Sequence, residues 1–529
     1  MRGGRVVAVC AASAFALSVL QLTLPATGSD LSAQVARAGF FAAHGPAPVD
    51  LSWYGGVHPW GYSLLSPPLM ALLGVRLTGA LTLLAAATAF AALLVRARVP
   101  RPLLGGLVGV LTIAGNLVSG RVTYALGVAF GLAALLALTL PAGPGRRAGW
   151  RRGALAGLAA LLASAASPVA GLFVGLAGVA LLLTRRYADG LLLAAPAAAP
   201  LAVTGLLFGE GGWMNISRTD TVHAVVTSLL VAALVAYRPV RVGALLSAAG
   251  VLAAALLHTP VGLNATRLVV MFALPVLAAT AQPPRWLTDR LPRRAARRRT
   301  VGALTLSVLL AAVCWWQPPV VAADLRSASD PTADPAFFAP LRAELARRGL
   351  TGRVEVPPTR NYWEAAHLGE APLARGWLRQ ADIARNPLFF TTVPGATGTG
   401  VPLTTASYRA WLADNAVQYV AVPDAELSWV GRPEAELVAA GLPYLTEVWS
   451  DPHWRLYAVT DPTPLVGAPG ELVRQDAASV TFRVPGPATV RVRVRHDRWL
   501  TVTGGATLAP DGEWTAVTVP RAGTYTLGS

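Results

Sequence analysis

Apolar runs of roughly bilayer length, separated by short polar breaks, fill the first 322 residues of the chain. A membrane helix needs about twenty predominantly apolar residues. The runs fall at 5–24, 77–95, 103–119, 122–140, 153–166, 168–184, 188–208, 223–237, 242–257, 268–281 and 302–322, which predicts about eleven spans. Past residue 322 the pattern changes. Asp330-Pro331-Thr332-Ala333-Asp334-Pro335 marks a linker, and 335–348 reads as a helix capped by Asp334 and stopped by Gly349. Strand candidates at Val354–Val356, Val417–Val422 and Trp454–Val459 alternate with helical patterns at 404–414 and 433–440, which predicts a small α/β domain over 335–465. From 470 to 529 the period becomes two, most clearly in Val490-Arg491-Val492-Arg493-Val494-Arg495, and turn residues separate the runs. The expected fold is therefore a polytopic α-helical membrane domain over 1–322 with a long first loop at 25–66, then the α/β domain, then a β-sandwich-like module.

Composition refines this picture. The hydrophobic share is 54% and the charged share 13%, a balance that points to lipid as solvent. The net charge of +17 is confined to the membrane half: residues 1–322 carry 25 Arg and 6 acids, the remainder 19 Arg and 21 acids. No lysine occurs, and nothing singles out a nucleic-acid partner. Cys10 and Cys314 both sit in apolar runs and suggest neither a disulfide framework nor a CxxC metal site.

Arginine placement orients the spans. With the N-terminus in the cytoplasm, 20 Arg fall in inner segments, seven of them between Arg285 and Arg299, while Arg37, Arg76, Arg121, Arg218 and Arg267 fall outside. That asymmetry follows the positive-inside rule and places the C-terminal half outside the cytoplasm. The first run also fits a signal peptide, but a retained helix is expected. Leu24-Pro25-Ala26-Thr27-Gly28 matches a sortase signal only in letters, because it lies near the wrong end of the chain.

Polar residues sort by side. His44, His58, His223, His258, Asp30, Asp50, Glu210 and Asp220 fall on the outer face, while the inner loops are almost purely arginine. The first outer loop holds Asp30 directly after the first span, at the start of an amphipathic surface helix that it can cap, and then Asp50, Trp53, Tyr54, Gly55, Gly56 and His58. Asp30, Asp50 and His58 are the catalytic candidates, with Trp53 and Tyr54 as substrate contacts. Arg121 with Asn116, Arg267 with Asn264, and Arg218 are the candidates for holding a phosphate, since a guanidinium beside an amide at the outer end of a span makes charge-assisted hydrogen bonds to such a group.

At these residues the chain resembles the C-type (GT-C) superfamily of membrane glycosyltransferases, which take a sugar from a polyprenyl-phosphate donor. The resemblance rests on Asp30 after the first span, the surface helix in that loop, the span count and the outer C-terminal domain. The chain also resembles actinobacterial multi-pass membrane proteins that share its Trp53-Tyr54-Gly55-Gly56-Val57-His58 and Asn264-Ala265-Thr266-Arg267-Leu268 patterns. The resemblance implies that Asp30 serves as general base or helps hold a divalent metal ion, that Arg121 and Arg267 hold the donor phosphate, and that the acceptor is a cell-envelope glycan or lipid. Many members carry two adjacent acids where this chain has Ser29-Asp30, which leaves Asp50 or His58 as the second group.

In the outer half, Trp363, Glu364, Arg375, Trp377 and Arg379 form a turn-rich mix that suits an acceptor surface, and Trp499 and Trp514 are placed to stack on sugars. Gly395, Gly398 and Gly400 read as a loop, not a phosphate cradle. A multi-pass transporter and a non-catalytic envelope protein are the competing readings.

Overall fold

A computed structural model describes residues 3–141, 146–209, 211–282, 295–396 and 400–529. Glu210, Gly398, Arg285, Arg290, Arg293 and Arg294 lie outside the described residues. The chain divides into two units: Met1–Gly28, Tyr62–Gly209 and Met214–Ala328 form the first, and Ser29–Gly61, Glu210–Trp213 and Ser329–Ser529 form the second.

Among the described residues of the first unit, eleven helices of fourteen or more residues overlap the predicted runs, from Gly3–Thr23 to Ala295–Trp316. Among the described residues, five helices are both long and apolar enough to cross a membrane, and four shorter apolar ones accompany them. Their outward faces are leucine-rich, with Leu206 and Leu256 about four-fifths exposed in the absence of lipid. Small residues let the helices approach closely, as is common where lipid removes the hydrophobic drive. A Cβ on Gly127 would stand 2.5 Å from Ala170 Cβ, and one on Gly105 would stand 2.4 Å from Ala279 Cβ.

The second unit has two cores. In the first, strands β1 (Arg353–Glu355), β2 (Val417–Pro423), β3 (Leu445–Ser450) and β4 (Trp454–Val459) form a sheet in the order β1-β2-β4-β3. The β1–β2 pair is parallel and the others antiparallel. Helices Ala339–Arg348, Thr405–Asp414 and Arg432–Ala439 match the predicted ones, and Asp334 accepts a hydrogen bond from Ala336 N–H as the expected cap. The second core lies between two antiparallel sheets. One has the order β7-β10-β9 (Ala488–Arg495, Trp514–Val519, Thr507–Asp511); the other has β5-β6-β11-β8 (Glu471–Gln475, Ser479–Val484, Gly523–Gly528, Thr501–Val502). The alternation read at Val490, Val492 and Val494 points these valines inward, where they meet Phe482, Val517 and Tyr525.

The loop at 25–66, assigned from sequence to the membrane domain, divides instead at Gly28 and Gly61, and its middle belongs to the second unit. Val49 and Leu51 enter the core of the two-sheet module, and Leu51 N–H donates to Ala477 O at 2.7 Å. The pairing is between residues more than 400 positions apart, so local pattern carries no sign of it.

Candidate functional site

In the first unit, Arg121 directly precedes the helix Val122–Ala137, and Arg267 opens the helix Arg267–Thr280. The Arg267 guanidinium lies 5.3 Å from the ring centre of Tyr124, which stands in the first turn of the helix that Arg121 precedes. Asn116 Nδ2 donates to Arg121 O at 3.4 Å and helps shape the turn before it, while Asn264 is buried in the turn that precedes Arg267. Arg121 and Arg267 are both half-buried, each at the N-terminus of its own helix, a placement suited to an anion. Arg218 is exposed at the start of its own helix, which Ser217 caps.

Beneath Tyr124 lies a cavity of about 350 Å³. Tyr124, Gly127, Val128, Gly131, Leu132 and Leu135 line it from one face of their helix, a stretch of roughly 16 Å at 1.5 Å per residue. Phe272 and Val276 from the helix opened by Arg267 form another wall. None of the lining residues is Asp, Glu, His or Arg. The volume falls within the usual range of small-molecule sites.

A neighbouring cluster holds a residue that the sequence reading missed. Ser119 Oγ, two residues before Arg121, donates to Asp324 Oδ2 at 2.5 Å. Gly28 N–H donates to Ser327 Oγ at 2.8 Å, and Gly28 has φ +93° with Ser119 packed where a Cβ would stand. Asp324 follows the last span, and only the fold brings it to the Arg121 turn.

In the second unit, Asp30 starts the helix Leu31–His44 but makes no side-chain cap, correcting the expected role; its backbone is already helical. Gln34 Nε2 donates to Asp30 O, Trp377 Nε1 donates to Ser29 O at 2.9 Å, and the Arg37 guanidinium lies 5.2 Å from the Trp377 ring. Asp30 therefore shares its surroundings with Trp377 and with Arg37, which the sequence reading had counted only as an outer charge.

The Trp53–His58 segment is an internal joint. Tyr54, Gly55 and Gly56 have φ values of +56°, +74° and +132°, which turns their carbonyls toward arginines. Arg385 donates to Gly56 O at 2.8 Å and Arg495 Nε donates to Tyr54 O at 2.8 Å. Trp53 and Tyr54 are at most 2% exposed, and Tyr54 Oη donates to Gly376 O. His58 Nε2 meets Asp497 at 3.0 Å, tying the segment to the two-sheet module. Asp50 is buried, its Oδ1 accepts from Ser52 N–H, and burial pushes its carboxyl up to about 6. The structure places these four residues, read from sequence as catalytic or substrate contacts, in contacts within the second unit.

Three of the five acceptor candidates are likewise internal. Trp363, Glu364 and Arg375 are all under 5% exposed. Thr359 Oγ1 donates to Glu364, and burial raises that carboxyl to about 7. Arg375 pairs with Asp382 at 2.8 Å and Glu434 at 2.9 Å. Trp377 and Arg379 stay half-exposed. Trp514 is 3% exposed, with Nε1 donating to Asp414, which removes it as a sugar platform. Among the described residues no group of three His, Cys, Asp or Glu side chains is placed to hold a metal, so the divalent ion implied by the resemblance finds no ligand set there.

No family model matches the chain, and no curated protein matches it in sequence. Among solved structures it is similar to the arabinofuranosyltransferase AftD from Mycobacteria, with TM-score 0.47, 19% identity, and coverage of 86% of this chain and 40% of that one. The chain thus spans about two fifths of that protein's length. It is similar to ArnT from Cupriavidus metallidurans bound to undecaprenyl phosphate, with TM-score 0.43, 14% identity, and coverage of 86% and 97%. It is also similar to the Archaeoglobus fulgidus oligosaccharyltransferase, with TM-score 0.43, 12% identity, and coverage of 80% and 69%.

Proposed function

We propose that the chain is a membrane glycosyltransferase that moves a sugar from a polyprenyl-phosphate donor to a cell-envelope acceptor. The observation that supports this reading is the placement of Arg267 against Tyr124, in the first turn of the helix that Arg121 precedes, where Tyr124 also lines an apolar cavity. A ligand fitting both parts has an anionic head and a hydrocarbon tail. A charged head alone has no use for the cavity, and a neutral lipid has none for two guanidiniums at helix N-termini.

In the reaction, the acceptor hydroxyl attacks the anomeric carbon, the bond from that carbon to the phosphate oxygen breaks, and polyprenyl phosphate leaves with the electron pair. Arg121 and Arg267 stabilise the charge that grows on the departing phosphate. Asp30 is the proposed base that accepts the acceptor proton, and it is preferred over Asp50 and His58 because those two engage contacts within the second unit. Transport is less well supported, because the cavity lining lacks the ionisable midplane groups that carry substrates or coupling ions.

The test is sugar transfer by the full chain in detergent or nanodiscs, with Asp30→Asn as the decisive variant. Loss of transfer with insertion and thermal unfolding unchanged supports the reading. Undiminished transfer by Asp30→Asn removes Asp30 as base, and transfer that ignores the polyprenyl-phosphate sugar removes the donor class.

A further inference from the structure

The tryptophans of the second unit are mostly spent on its cores. Among the described residues there, Trp429 is the one exposed tryptophan, with 46% of its surface open. It stands in the turn that follows β2, closed by Gly431 N–H donating to Ser428 O at 3.0 Å. Because β1 and β2 run parallel, the loops leaving their carboxyl ends emerge at one edge of the sheet, the edge where open α/β sheets generally place ligands. These two loops are joined: Arg360 N–H donates to Glu426 O at 2.8 Å, and Ser428 N–H donates to Pro358 O at 2.9 Å. A Cβ on Gly431 would stand 2.8 Å from Pro358 O. The turn is thus fixed before any ligand arrives, so holding the ring in place costs a ligand little.

The groups around this ring suit a carbohydrate. The Arg379 guanidinium lies 5.5 Å from the Trp429 ring centre and donates to Tyr362 Oη at 3.2 Å. Glu426 pairs with Arg360 and Arg432, and its side chain stays 55% exposed. A sugar offers C–H groups on one face and hydroxyls at its rim that both donate and accept. An indole meets the face, guanidiniums donate to the rim and a carboxylate accepts from it. A lipid surface would select basic and apolar neighbours without the exposed acid. Two routes tie the turn to Asp30. Trp377, two residues before Arg379, donates to Ser29 O at 2.9 Å, and Asn361, next to Tyr362, accepts at its carbonyl from Ser32 Oγ at 2.7 Å. Each route passes through several intervening residues, so a sugar stacked on Trp429 is a different unit of the acceptor from the one whose hydroxyl meets Asp30.

We propose that Trp429 and Arg379 form a distal subsite for the acceptor, and that the chain therefore extends an oligosaccharide of at least two sugars rather than a single sugar. This rests on the glycosyltransferase reading above, with Asp30 as base, and specifies the acceptor that reading leaves open. The experiment is native mass spectrometry of the full chain in detergent, titrated with oligosaccharides of one to six sugars released from the cell envelope of the source organism and separated by length. The wild type is expected to bind the longer fractions roughly tenfold more tightly than the monosaccharides. W429A should lose that gain and bind all lengths alike, while W429F, which keeps an aromatic face, should retain most of it. Wild-type affinity that ignores length overturns the inference, and so does a W429A variant that keeps the wild-type dependence. Equal losses in W429A and W429F also overturn it, since they point to packing rather than to a stacking face. These three results leave the loss of transfer in Asp30→Asn, and with it the reaction class, untouched. A wild type that binds none of the fractions removes the glycan acceptor itself.

Discussion

Glu355 offers the sharpest test of how the second unit is held together. Arg375, Asp382, Glu434 and Glu355 are buried in one cluster, three carboxylates around one guanidinium. Arg375 is committed to Asp382 and Glu434 and reaches Glu355 only at 3.7 Å. No donor faces either Glu355 oxygen, so its contact with Glu434 becomes a hydrogen bond only when a proton sits between them. Burial, and then the Glu434 charge, push the Glu355 carboxyl well above the usual carboxylate range. The folded state therefore keeps a proton that the unfolded chain releases above about pH 4.3. Stability falls as pH rises between the unfolded and folded pKa values, with a slope approaching about 1.4 kcal/mol per pH unit for one proton. Glu355→Gln is neutral at every pH, and its amide can donate to Glu434. It should remove the Glu355 share of the slope, leaving those of Asp50 and Glu364, and gain on the wild type as pH rises by up to about 1.4 kcal/mol for each unit. Thermal unfolding followed by tryptophan fluorescence, at pH 5 and at pH 7.5, reads the difference. A wild type whose stability rises over that interval, or a variant destabilised equally at both pH values, refutes the shared proton.

Other expectations follow from the same contacts. Gly55→Ala should destabilise the second unit by about 1–3 kcal/mol in thermal unfolding, because φ is +74° and the new Cβ would stand 2.9 Å from Trp514; Gly45→Ala, with φ +63° in open space, should cost less. Asp50→Asn should leave transfer rates within about twofold of wild type, since Asp50 closes a turn, whereas Asp30→Asn should lower them by about 10²-fold or more. Asp324→Ala should weaken donor binding through the Arg121 turn, and Asp324→Asn, which retains an acceptor for Ser119, should restore much of it.

The apolar helices of the first unit were largely legible because the length of an apolar run is a local signal set by lipid itself. Arg121 and Arg267 stood out one residue at a time, each against the charge trend, whereas the contact of Arg267 with Tyr124 had no sequence signal. Trp53-Tyr54-Gly55-Gly56-Val57-His58 misled for a physical reason. Aromatics, glycines and an imidazole are what a binding loop needs, and they are equally what a tight joint needs when its carbonyls must reach Arg385 and Arg495. Asp324 carried no sequence signal, because an acid after a span acquires meaning only from its neighbours across the fold.

The most direct measurement is binding of a polyprenyl phosphate to the full chain by native mass spectrometry, comparing wild type with R121Q/R267Q and with the corresponding neutral polyprenol. Phosphate binding by the wild type, a loss of roughly tenfold to a hundredfold in the double variant, and weak binding of the polyprenol by both are predicted. Equal binding of phosphate and polyprenol, or a double variant that retains wild-type affinity, contradicts a phosphate site at Arg121 and Arg267.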